Sequence, residues 1–206
     1  MLTGSQTDVD YLSSFLRRNR LSQASKVVDV FHAVRRIPYG SRGGRTAEAV
    51  VENNEGSCSG KHILLCELLR RLNQVAFVET VKGDFASKIP SLESMPDELK
   101  RMCEEGGVND FHQYVVWDSP VGPLKLDATW SDGPIRQGLT GNMDWVGSCD
   151  TKLALYPNEI LNRVDDLPVY KAKLIAELSE SDQRRRLNFL TLLTAWVAET
   201  EKKGAT

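Results

Sequence analysis

Two runs rich in β-branched and aromatic residues, His112–Trp117 and Leu124–Trp130, flank the segment Asp118-Ser119-Pro120-Val121-Gly122-Pro123. That segment is a turn by composition, so the chain is committed to an antiparallel hairpin. Side chains alternate along a strand, which puts His112, Tyr114 and Val116 on one face. If Trp117 pairs with Leu124 across the turn, Asp127 lies opposite Tyr114. It is then a same-face diagonal neighbour of His112, within side-chain reach. Lys125 and Thr129 share the Asp127 face, while Leu124, Leu126, Ala128 and Trp130 form the apolar one.

A second feature precedes the hairpin. Gly56-Ser57-Cys58-Ser59-Gly60-Lys61-His62 runs straight into Ile63, Leu64, Leu65, Leu68, Leu69 and Leu72. The spacing predicts a helix over 58–72 with a thiol at its mouth, after a small-residue turn. A helix N-terminus carries roughly half a positive charge and unpaired N–H groups, both of which favour thiolate over thiol. A cysteine nucleophile also needs a base and a group to orient that base. His112 and Asp127 are of the right types and are placed to converge with Cys58 where sheet meets helix.

The rest of the chain reads as an α+β protein. Helices are expected over 8–20 and over 22–37, the second with Ser22 as N-cap, then a break at Pro38–Arg45 and a short helix over 46–53. Val75–Val81 reads as a strand. An irregular excursion over 83–111, with a short helix near 97–105, is long enough to be a lid or binding loop. Residues 131–167 are loop-rich, and helices near 169–178 and 182–201 close the chain. The last carries Leu187, Leu190, Leu193, Trp196 and Val197 as one stripe.

The 206 residues, 41% hydrophobic, suffice for one well-buried core. A net charge of −2 asks for neither nucleic acid nor an anionic membrane. Met1–Asp8 lacks the basic and apolar regions of a signal peptide, and no apolar run approaches the roughly 20 residues of a membrane span. The expectation is a cytoplasmic protein with four free cysteines, Cys58, Cys66, Cys103 and Cys149. No ligand spacing for a metal is present, and no cofactor is expected.

The ordered set Gly56-Ser57-Cys58, Phe111-His112-Gln113-Tyr114-Val115-Val116-Trp117 and Leu126-Asp127-Ala128-Thr129-Trp130 resembles the transglutaminase-like superfamily. The resemblance covers about residues 36–131. It implies a papain-like core, a nucleophile helix packed on an antiparallel sheet, flanked by helical extensions at 8–37 and 169–201 within one domain. It further implies acyl chemistry. Cys58 attacks an amide or ester carbonyl, a thioester forms, and water or an amine acceptor resolves it. His112 acts as base and then acid, and Asp127 holds its tautomer. The substrate is then a peptide, protein or small molecule bearing an amide or ester. That family takes one oxyanion donor from the nucleophile's N–H and a second from an upstream side chain. Here Tyr39, Arg45 and Asn53 are the candidates for the second donor. Acidic calcium-binding loops are not evident. The same fold also serves non-catalytic peptide- or protein-binding modules, which is the alternative reading.

His62 stands four residues after Cys58, on the same helix face. It is the rival to His112 as base, and otherwise a structural or substrate-contacting residue. Trp145, in a Gly- and Asn-rich loop, is a pocket-lining candidate. Cys66 among the leucines, Trp117, Trp130 and His32 read as packing residues. Cys103 and Cys149 read as incidental, and Lys61 and the run Arg184–Arg186 as solvated.

Overall fold

The structure is a computed structural model that describes residues 10–40 and 45–204. Met1–Asp8 and residues 41–44 of the break after Ile37 lie outside the described residues. The hairpin forms as β2 (Asn109–Ser119) and β3 (Gly122–Leu126), with Trp117 paired to Leu124 and Val115 to Leu126. Two residues, Pro120 and Val121, turn the chain, and Gly122 takes φ +111°, a conformation that favours glycine. The second strand stops at Leu126, short of Trp130. From Asp127 on, backbone N–H groups go to side chains: Asp127 N to Thr151 Oγ1, Ala128 N to His62 Nε2, Thr129 N to Asp127 Oδ1. A ladder cannot continue where its donors are spent elsewhere.

The strand β1 (Ala76–Asp84) lies beside β2, with Val81 opposite His112. On its other side is β4 (Tyr156–Ile160), an exposed edge strand that joins through a register shift at Lys82/Gly83. The sheet is antiparallel throughout, in the order β3-β2-β1-β4.

Eight α-helices accompany the sheet among the described residues. The helix α1 (Tyr11–Arg18) starts at Asp10, whose carboxylate accepts from Ser13 N. Residues Ser22 and Ser25 form a turn of their own, and α2 (Val27–Arg35) begins only after Lys26. Ser22 is therefore not an N-cap: its hydroxyl accepts from Ala24 N inside that turn. Thr46 caps α3 (Ala47–Asn53), and α4 (Cys58–Arg71) begins at the thiol. The order continues with α5 (Asp97–Glu105), α6 (Asp132–Arg136), α7 (Leu167–Ala176) and α8 (Glu180–Gly204).

Two apolar clusters lie against the sheet. One joins α1 to α4 with Ala76, Val78, Val115, Trp117, Leu124 and Leu126. The other joins Val81, Tyr114 and Val116, on the opposite face, to α5 and α8. The 83–111 excursion belongs to this second cluster through Phe85, Ile89, Met95, Leu99 and Met102. Its apolar side chains face the core and give it the role of a wall. The buried stripe of α8 is Phe189, Leu193, Trp196 and Val197, and Leu187 is 66% exposed. Phe189 takes the place assigned to Leu187 because the face of α8 is set by where it meets Phe85. Among the described residues, no helix is long and apolar enough to cross a membrane.

Candidate active site

Packing against α3 forces the small residues ahead of the thiol. A Cβ on Gly60 would come within 2.6 Å of Val50 Cγ2, and one on Gly56 within 2.7 Å of the same atom. Gly56 also pairs with Tyr39 in an isolated parallel bridge, with Gly56 N donating to Pro38 O and Gly40 N to Gly56 O. That strap lays Tyr39 beside the helix mouth. Cys58 is the first residue of α4, so its N–H has no intrahelical acceptor.

His112, Asp127 and Cys58 come together. His112 Nε2 donates to Asp127 Oδ2 at 2.7 Å, which leaves Nδ1 for the thiol. Asp127 is buried and fully occupied, accepting also from Thr129 N at 2.9 Å and from Ala154 N at 2.8 Å. Burial would raise its carboxyl, but the His112 charge and hydrogen bond outweigh it and hold the group well below the usual carboxylate range. Burial would likewise make His112 less basic. The Asp127 carboxylate and then the Cys58 thiolate overcome that, and the imidazole is raised to about 10.

The thiol has a second cationic neighbour. Lys171 of α7, only 3% exposed, brings Nζ to 3.5 Å from Cys58 Sγ. Burial pushes the thiol up, while Lys171 and then His112 pull it down to about 5. Cys66 and Cys103 show what burial does without such partners, both being raised to about 11. At neutral pH Cys58 is thus a thiolate between an ammonium and an imidazolium.

Beside it lies a cavity of about 200 Å³ that reaches Tyr39, Arg45, Ser57, Asp110, Lys171 and Arg186. Its outer wall is α8, through Leu187 and Leu190. Larger cavities, about 330 and 490 Å³, are lined by Ile63, Glu67 and Leu167. The first is lined by the protonated Cys66 without an imidazole and the second by no cysteine, so chemistry and not size singles out the Cys58 cavity.

The other residues singled out in the sequence divide clearly. Tyr39 lines the cavity, and burial together with the nearby thiolate keeps its hydroxyl protonated. His62 is buried with Nε2 accepting from Ala128 N at 2.7 Å. The same Nε2 stands 3.5 Å from Asp127 Oδ1. His62 stands edge-on to His112 at 5.7 Å and braces it. Asn53 sits at the end of α3, its amide donating to Ala49 O, away from the cavity. Trp145 packs on Phe31 at 4.7 Å and donates to Cys149 O, so it is a core residue and lines no part of this cavity.

Lys61 is not solvated. Fully buried, it donates to Arg35 O, Ile37 O and Thr129 O at 2.7–3.0 Å. Arg186 is not solvated either, since its Nε donates to the buried Asp110 Oδ1 at 2.6 Å. Lys171, Asp110 and Arg186 carried no signal in the sequence. A lysine two positions from Lys173 on a short helix looks like any surface lysine until the helix is docked. Among the described residues, no group of three or more His, Cys, Asp or Glu could hold a metal ion. No protein-family model, no curated protein and no solved structure matches the chain.

Proposed function

We propose that this protein is a cysteine-dependent acyl transferase or amide hydrolase with a papain-like, transglutaminase-like site. The observation that carries the reading is the buried Cys58 thiolate, held between Lys171 and the His112–Asp127 pair. The Cys58 Sγ lone pair attacks the carbonyl carbon, a C–S bond forms, and the carbonyl electrons move to oxygen. The Cys58 N–H faces that oxygen, and Ser57 Oγ, which has no partner and lies on the cavity, supplies a second donor. Tyr39 is the next nearest hydroxyl in the lining. As the tetrahedral carbon collapses, His112 gives its proton to the leaving nitrogen or oxygen and that bond breaks. The thioester is resolved by water or an amine, whose proton returns to His112 as the C–S bond breaks.

Alkylation of the native protein with iodoacetamide, followed residue by residue by mass spectrometry, tests this. Cys58 is expected to react with a half-maximal rate near pH 5, where an ordinary thiol is unreactive. In His112→Ala the imidazolium is gone, so the midpoint rises by about 1–3 pH units. A Cys58 that titrates like a free thiol, or that is indifferent to His112, overturns the proposal. For acyl transfer itself the profile is a bell with limbs near pH 5 and 10, belonging to the coupled pair.

A further inference from the structure

The charges around the thiol leave one remainder. Lys171 pairs with the Cys58 thiolate, His112 with Asp127, and Arg186 with Asp110. Arg45 also lines the cavity, and no carboxylate or carbonyl among the described residues accepts from it. A guanidinium is always charged and presents a planar fork that matches a carboxylate. The cavity, about 200 Å³, is smaller than the ~300–1,000 Å³ of sites for drug-sized ligands, so it admits a short group and not a folded segment.

Resting on the reading of Cys58 as the acylated nucleophile, we infer that the substrate is a short amide or ester whose acyl half carries its own carboxylate, bound by Arg45. The acyl half is favoured over the leaving half by what happens to the charge. When the thioester forms, the sulfur gives up its negative charge, the His112 proton departs with the neutral leaving group, and Lys171 loses its partner. An acyl group with a carboxylate stays in the cavity and restores the balance, with Arg45 and Lys171 both facing it. A carboxylate on the leaving amine departs and leaves two cations unanswered. The hydrocarbon between carbonyl and carboxylate lies against Leu187 and Leu190 of α8.

Protection of Cys58 from iodoacetamide measures this on the intact chain. Four probes form two matched pairs: glutaramate against glutaramide, with the charge on the acyl side, and N-acetylglycine against N-acetylglycinamide, with the charge on the amine side. Glutaramate is expected to protect at a concentration about tenfold lower than glutaramide, the scale of one charge-assisted hydrogen-bonded pair. Arg45→Gln removes that preference, and Arg45→Lys, which keeps the charge, retains part of it. Equal protection by both members of each pair, or no protection by any of them, overturns the inference. A preference shown only by N-acetylglycine overturns the acyl-side assignment, and a preference that survives Arg45→Gln overturns the role of Arg45. These results are read as ratios on a reactive Cys58. A Cys58 that fails to react fast at all is a different outcome, and sinks the nucleophile reading itself.

Discussion

At the scale of single residues, the site depends on two cations acting on one sulfur. Either alone would have to work against burial, the largest of the causes that lift the Cys66 thiol to about 11. The Lys171 charge pulls Cys58 down more than either the His112 hydrogen bond or the His112 charge taken singly. Lys171→Met is therefore expected to raise the midpoint of Cys58 alkylation by about 1–3 pH units. The rate at pH 6 should fall at least tenfold, while the rate well above the new midpoint should be little changed. A profile that does not move would mean that His112 alone sustains the thiolate. His62 shows how two histidines of similar burial divide the work. One hydrogen-bonds the Asp127 carboxylate; the other has its Nε2 taken by a backbone N–H.

At the scale of elements, the question is what keeps α4 in register with the segment carrying Asp127. Lys61 does this, its three ammonium protons reaching the end of α2, the strap before Tyr39 and the chain just past Asp127. Burial and the nearby Arg35 draw its ammonium down to about 7, against the opposing charges of Asp127, Glu201 and Cys58. Lys61→Met leaves three buried carbonyls without a donor. The expected loss is about 3 kcal/mol, at roughly 1 kcal/mol or more for each, read as a lower midpoint in urea at unchanged slope. A loss below about 1 kcal/mol would show that water replaces the ammonium there. Arg35 reinforces the same junction through its 2.5 Å ion pair with Asp132 and its bond to Trp130 O.

At the scale of the whole molecule, the last helix completes both the second core and the site. Its buried stripe of Phe189, Leu193, Trp196 and Val197 meets Phe85 and the excursion between β1 and β2, and its rim forms the outer cavity wall. Trp196→Ala is expected to cost about 3–5 kcal/mol, because a large buried side chain leaves a cavity that rigid neighbours cannot fill. Chemical denaturation of the purified variant measures it. A cost under about 1 kcal/mol would mean that α8 is only loosely docked.

The hairpin, its register at Trp117 and Leu124, the helix opening at Cys58 and the approach of His112 to Asp127 all follow from the sequence. Each depends on local periodicity, turn composition and strand alternation, which act over a few residues. What the sequence did not carry came from distant parts of the chain. Lys171, 113 positions after Cys58, became its partner only when α7 docked over the thiol, and Arg186 became Asp110's across 76 positions. Lys61 looked solvated, and Trp145 looked like a pocket residue, because burial is not a property of a residue's neighbours in sequence. The thiol, the imidazole and the carboxylate that meet at this site were thus legible one by one. The second cation, the basic wall and the size of the cavity were decided by tertiary structure, since they depend on which helix faces cover the thiol.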